Sequence, residues 1–362
     1  MGAGALPAGA ATAASQASGF RQVNLVSDIP GVAPLTDPDL VNAWGLAASP
    51  GTDTAPGSPL WVSDNGSDKA TLYSSGTSSS VAKSGLVVGV TSGAPTGQVF
   101  NTDSAGLGFT VHDASGSSAP ASFIFDTENG TIDAWSAHVG AATPGATSTV
   151  TEVPVNNGAN AVYKGLAIAQ ASDGHTYLYA TNFRSGRVEV YDSNFKPVQL
   201  PGGLFVDPRI PAGYAPFDVQ ELAGKLYVTY AKQDAALHDD VAGPGHGFVD
   251  VFTNDGAFVK RLVTRGQLNS PWGLALAPAG FGRFGGDLLV GNFGDGHINV
   301  YNPNTGADLG QLRQANGQPI VIDGLWALNF GNGNAAKTSE LLFSAGPDGE
   351  SHGLLGKIVS AG

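Results

Sequence analysis

One unit recurs along this chain, and it limits the fold more than any other feature of the sequence. It consists of a polar turn, an aromatic-Gly-Leu-Ala strand, a second turn, and an apolar strand ending in polar residues. Asn42–Ala48 with Leu60–Asn65 is one copy. Tyr163–Ala169 with Tyr177–Phe183 is another, and Ser270–Leu276 with Asp287–Phe293 is the clearest. Two copies have drifted: Ala215–Gln220 with Lys225–Tyr230, and Gly324–Asn329 with Glu340–Ser344. A sixth, weaker copy has Phe123–Asp126 as its second strand. A third strand follows in which apolar and polar residues alternate, as in Gly186–Asp192, Gly247–Phe252 and Gly296–Asn302. Alternation of period two marks a half-buried strand. In places a fourth strand follows, such as Phe258–Val263.

Four short strands in a unit of about 40–50 residues, repeated radially, predict a propeller. The expectation is an all-β, six-bladed β-propeller of four-stranded antiparallel blades, one domain over residues 20–362. The last unit is short of an outer strand, and Phe20–Val26 precedes the first full unit. This N-terminal strand is therefore predicted to complete the sixth blade and lock the ring. The alternative is an arm packed elsewhere. Residues 1–19, rich in Ala, Gly and Ser, read as a disordered leader.

Composition narrows the partners. The net charge is −13 with only 17 Lys plus Arg. Without clustered cations to displace counterions from phosphate, nucleic acid is a poor partner. No apolar run is long enough to span a membrane. The chain has no cysteine, which excludes disulfides, thiol nucleophiles and thiolate metal sites. Its one methionine is Met1, so few side chains oxidise easily. Together with the leader, this leads us to expect a secreted or periplasmic monomer.

Several stretches resemble a known family. They include Arg21–Asp28, Val41–Leu46, Pro95–Asn101, Asn269–Ala275, Ala345–Asp348 and His352–Leu354. On these residues the chain is similar to an uncharacterised bacterial family of secreted propeller proteins. The likeness runs over nearly the whole chain from Phe20. It implies the propeller fold and export, and no activity. The strand pattern is more distantly similar to the NHL and gluconolactonase-type propellers, a likeness of fold that carries no chemistry across.

In such a ring the turn before each inner strand and the turn after each second strand share one face. That gathers polar and aromatic residues at one mouth of the central channel, where ligand sites are favoured. Asn42, Trp44, Asn182, Arg184, Phe217, Asn269, Trp272 and Trp326 are candidate binding residues. Recurrence at one repeat position also marks the three tryptophans as packing groups. Lys164 breaks the repeat pattern and is a candidate anchor or acid/base, with Asp234 and Asp323 as candidate catalytic carboxylates. Asp64, Glu128 and Asn292 are candidate ligands for a divalent cation such as calcium, which would polarise a carbonyl or activate water. The loop over residues 231–247, with two His and three Asp, reads as a lid or a weaker metal site. No Gly-x-Ser-x-Gly elbow or phosphate-binding Gly-Lys-Ser/Thr occurs.

Two functions of different class are expected. One is a polar, metal-assisted small-molecule site of hydrolase or lactonase type at the channel mouth. The other is a non-catalytic module that binds an extracellular polymer or a partner protein.

Overall fold

The computed structural model describes residues 19–75, 80–103, 108–143 and 145–361. The leader expected over residues 1–19 lies outside them except for Gly19, which opens the first strand. Six sheets of antiparallel blade strands are arranged as a propeller, with a short parallel strand, Leu35–Thr36, added to one of them and a separate two-stranded hairpin, Thr110–His112 with Ser118–Pro120, outside the blades. Blade I comprises Ala43–Ala47, Leu60–Asp64, Lys69–Ser75 and Val81–Gly89 from the axis outward. Blade II comprises Pro95–Phe100, Phe123–Thr127, Thr131–Trp135 and Glu152–Asn156. Blade III has Tyr163–Gln170, Thr176–Asn182 and Arg187–Tyr191. Its fourth position holds only the start of a strand, where Val198 N donates to Val190 O at 2.8 Å. Blade IV comprises Tyr214–Leu222, Lys225–Lys232, Phe248–Phe252 and Phe258–Thr264. Blade V comprises Pro271–Leu276, Leu288–Asn292, Ile298–Tyr301 and Asp308–Gln311.

Blade VI takes Leu325–Phe330, Leu341–Ala345 and Leu354–Ala361 from the end of the chain, and its outer strand, Gly19–Ser27, from the beginning. The seam is antiparallel, with Gly19 opposite Ala361 and Ser27 opposite Leu354. The ring is thus closed by the N-terminal strand, as the incomplete last repeat predicts. Phe20 locks the seam from outside by stacking on Phe284 of blade V, ring centroids 5.9 Å apart.

The alternation along the strands buries one apolar face against each neighbouring blade. Six clusters of buried hydrophobic side chains result among the described residues: five lie between neighbouring blades, and the sixth joins the interface of blades VI and I to side chains of blades III, IV and V at the axis. The glycine of the aromatic-Gly-Leu motif serves this approach. A Cβ on Gly45 would lie 2.4 Å from the Thr96 carbonyl oxygen of blade II, and one on Gly273 would lie 2.4 Å from that of Trp326. No side chain fits there without moving backbone.

The same motif carries a second device. In all six blades the inner strand gains one residue on the second strand: three inner residues span two opposite, as between Ala43 and Leu46 or Pro95 and Gln98. Such a bulge bends the strand and re-aims a side chain. The re-aimed position is held by Trp44, Thr96, Lys164, Phe217, Trp272 and Trp326 in turn around the ring.

Candidate functional site

These six positions converge at one end of the axis. Trp326 stacks on Trp44 with centroids 3.6 Å apart and on Phe293 at 3.9 Å. Trp272 meets both tryptophans edge-on at 6.0 and 5.8 Å, and Phe217 meets Trp326 at 5.9 Å. All are buried. Aromatic rings from blades I, IV, V and VI therefore plug the channel.

A polar cluster covers the plug, with Lys164 at its centre. The Lys164 side chain is only 3% exposed. Its Nζ donates to Glu128 Oε1 of blade II and to Asp239 Oδ1 at 3.2 Å. It also lies 5.1 Å from the centroid of Trp44, a cation–π contact. Asp239 comes from the loop over residues 233–247 of blade IV, which reaches over the mouth. His238 Nδ1 lies 2.9 Å from the same Asp239 oxygen. On the other flank, Asn65 Nδ2 donates to Glu128 Oε2 at 3.0 Å, and Asn42 Nδ2 donates to Asn65 Oδ1 at 3.2 Å and to Glu350 Oε2 at 2.8 Å. Plug and cap are joined: Trp326 Nε1 donates to Asn42 Oδ1 at 3.0 Å, and Trp272 Nε1 to the Lys164 carbonyl at 2.9 Å.

The surroundings push these groups apart in acidity. Burial works against the Lys164 ammonium, but Glu128 and Asp239 outweigh it and hold the group above its ordinary value. Burial would lift Asp239, yet Lys164 and then His238 prevail and keep its carboxyl below the usual range. Burial lifts Glu350 above the usual range, offset only in part by donation from Asn42. The mouth thus holds one carboxyl biased toward its acid form and another biased toward its base form.

Among the described residues, Glu128, His238 and Asp239 are the one grouping of three such side chains within reach of a common ion, their ligand atoms within 4.8 Å of one another. The Lys164 ammonium already bonds both carboxylates there. A divalent ion would have to displace a buried ammonium and leave it unpaired, which is strongly unfavourable. The donor set fits an internal cation better than a metal.

Comparison with known proteins places the chain. No family model matches it. "Uncharacterized protein R648" of Acanthamoeba polyphaga mimivirus is 32% identical over 345 residues, covering 92% of this chain and 78% of the relative. "Uncharacterized protein L690" of the same virus is 33% identical over 349 residues, covering 92% and 84%. The chain belongs to the family of these two proteins. Beyond that family, its fold is similar to the Penicillium chrysogenum alpha-L-arabinanase complexed with arabinobiose, with a TM-score of 0.54 at 10% identity over 94% of this chain and 98% of that one. It is also similar to the PQQ-bound aldose sugar dehydrogenase from Streptomyces coelicolor, with a TM-score of 0.50 at 13% identity over 95% and 99%. At such identities the likeness is one of fold.

In this member of the family, the residues singled out in the sequence fall into three groups. Lys164, Glu128, Asn42, Trp44, Trp272 and Trp326 come together in the cap and plug. Phe217 belongs to the plug. The others lie outside the cap, although Asn269 Oδ1 accepts the Gly243 N–H at 2.6 Å and so braces the loop that carries Asp239. Asp234 accepts the backbone N–H of His238 at 2.9 Å and so shapes the turn that presents Asp239. Asp323 accepts the N–H of Asp348 at 2.8 Å. Asn182 donates to Glu189 at 2.8 Å, and Asn269 to Asp295 at 3.2 Å. Arg184 sits in the loop after the second strand of blade III and is not bonded to the cap. Asp64 and Asn292 do not join Glu128: each is fully buried in its own blade, and Asn292 donates to the Gln267 carbonyl at 2.8 Å. The turn after the second strand places Asn65 at the mouth, but sequence reasoning gave it no role, and it did not single out Asp239 and Glu350 as site residues. The signal for Asp239 was the loop insertion. Glu350 lies in the Gly346–Gly353 loop, which carries no repeat pattern that would mark it.

Beneath the cap, in the strand leading to Glu128, Asp126 is fully buried, and burial lifts its carboxyl to about 7. Its unfolded value is about 3.9. The native state therefore holds this proton more tightly, and the stability it contributes is full below about pH 4 and lost as pH rises toward 7. Asp126→Asn is expected to flatten the pH dependence of unfolding over that window, by at most about 1.4 kcal/mol per pH unit. Urea titrations of both proteins from pH 4 to 8 check it, and parallel curves would refute it.

Proposed function

We propose that the channel mouth binds a small hydroxyl-rich molecule, a sugar or sugar lactone, and hydrolyses it by acid/base catalysis. The observation that carries this is the pair Glu350 and Asp239, driven in opposite directions of acidity around one buried ammonium. Opposed carboxyl environments of this kind assign acid and base roles. Asp239, 64% exposed, takes a proton from the attacking water. The water oxygen bonds to the substrate carbon, that carbon's bond to the leaving oxygen breaks, and Glu350 gives its proton to that oxygen. Lys164 holds Glu128 and Asp239 in register, and Asn42 and Asn65 complete a wall of hydrogen-bonding groups suited to hydroxyls. The arabinanase and the sugar dehydrogenase support a sugar ligand, since their names place sugar chemistry on the same architecture. No step requires a metal, because Lys164 supplies the positive charge. The resemblance to secreted bacterial propellers supports residence outside the cytoplasm, and we propose that the protein acts there as a monomer.

A thermal-shift panel of sugars, sugar lactones, divalent cations and chelator tests the site. A ligand at 100 times its Kd should stabilise the fold by about 2.7 kcal/mol. Glu350→Gln should keep that shift and reduce turnover of the stabilising compound by about 10²–10⁴-fold. Stabilisation by a cation with none by any sugar would overturn the reading.

A second reading is supported by a cleft of about 830 Å³ at the outer rim of blade III, beside its missing fourth strand and away from the axis. Its walls include Asn156, Asn157, Arg187 and Glu189. An extracellular polymer bound there would make the protein a binding module. Glu350→Gln would then leave its affinity unchanged.

A further inference from the structure

The seam that closes the ring also grips the loop that carries Glu350. Asp28 follows the closing strand directly. Its Oδ2 lies 2.8 Å from His352 Nδ1, and its Oδ1 accepts the Gly353 N–H at 2.9 Å. One residue earlier, Ser27 Oγ donates to the Gly353 carbonyl at 2.9 Å. The chain has little room to shift here, since a Cβ on Gly353 would lie 2.0 Å from the Leu40 carbonyl oxygen. The other end of the loop is tied by Gly346 N to Gly324 O at 2.9 Å and by Asp348 N to Asp323 at 2.8 Å.

Between these ties the backbone takes a conformation that it avoids when free. Asp348, Gly349 and Glu350 have φ of 56°, 61° and 68°. Side-chain-bearing residues rarely enter this left-handed region, and they persist there only where the surroundings over-determine them. Strain of this sort collects at functional positions. Its product here is the placement of Glu350 against Asn42, whose own N–H donates to the His352 carbonyl at 3.1 Å.

We propose that Asp28 is a positioning residue for Glu350: by clamping His352 and Gly353 it forces the loop into its left-handed turn and delivers the Glu350 carboxyl to the channel mouth. The ring closure and the site are then one device, so that an open seam is also a disassembled site. The inference rests on the reading of the mouth as the functional site, and its test needs no substrate.

The probe is the indole N–H of Trp326, bonded to Asn42 and through it to Glu350. In ¹H–¹⁵N spectra this signal, one of five tryptophans, is assigned by its loss in Trp326→Phe, and it should titrate with Glu350. Glu128, Lys164 and Asp239 face Glu350 from blades II, III and IV, and Asp348 and His352 flank it on its own loop. Wild-type protein is expected to show a midpoint above the ordinary glutamate value of about 4.3. Asp28→Ala, which removes both bonds, should lower that midpoint by about one unit or more as Glu350 leaves its half-buried place, while Gln22→Ala, on the same strand but away from the loop, leaves it unchanged. An unchanged midpoint in folded Asp28→Ala overturns the proposal. If that variant does not fold, His352→Gln, which keeps the bond from Asp28 to Gly353, should give a smaller drop, and no drop overturns it. A midpoint that moves as expected in a protein that binds no sugar supports the clamp and refutes the hydrolytic reading.

Discussion

Lys164→Met is expected to destabilise the protein by about 3–5 kcal/mol, the cost of removing one partner from a buried ion pair. The side chain fits by length, so lost packing contributes little. What remains is Glu128, half-buried and still held by Asn65, facing an apolar methionine where an ammonium stood. Asp239 suffers less because it is more exposed. The destabilisation should therefore depend mainly on Glu128. Adding Glu128→Gln to Lys164→Met should recover stability, and the double-mutant cycle measures the coupling directly. Guanidinium unfolding of the four proteins is the measurement. A single-variant loss under about 1 kcal/mol would show that the pair behaves as a surface pair. The same variant should bind no sugar, because both carboxylates lose their anchor.

Trp326→Ala carries the second large effect, also about 3–5 kcal/mol. Trp326 lies between Trp44 and Phe293 and is 1% exposed, so its removal leaves a void in the middle of the plug. It also leaves Asn42 Oδ1 without its indole donor. The loss should thus exceed that of a simple cavity and reach the cap, through Asn42 to Glu350. Calorimetry gives the stability, and ligand affinity should fall in the same variant. A stable Trp326→Ala protein with intact affinity would mean that the rings do not support the cap.

The fold was largely legible because a propeller writes one hydrophobic pattern several times. The recurring strand pairs located five blades, and the shortfall in the last repeat located the seam. Blade II was faint because Thr96 stands where other blades have an aromatic ring or Lys164. Blade III lacks a full fourth strand, which its third-strand alternation does not reveal.

The site was legible only where a residue broke the repeat. Lys164 stood out for that reason. The inner-strand bulge did not stand out, because alternation reports which face a residue takes and not where a register slips. Its consequence, that Trp44, Trp272 and Trp326 pack against one another at the axis, could not be told from ordinary packing between blades. Glu350 reaches Asn42 across 308 positions of sequence, through a left-handed turn whose residues are not all glycine. No local pattern encodes such a contact.

The direction of the seam has a consequence for how this protein could be displayed. Ser27 and Leu354 pair at the end nearest Asp28 and the Glu350 loop, so Gly19 and Ala361 pair at the far end. Both ends of the described chain therefore leave from the side opposite the cap. A tether on either one, whether to a surface or to a fusion partner, would hold the propeller by its back and leave the charged mouth pointing away from the anchor.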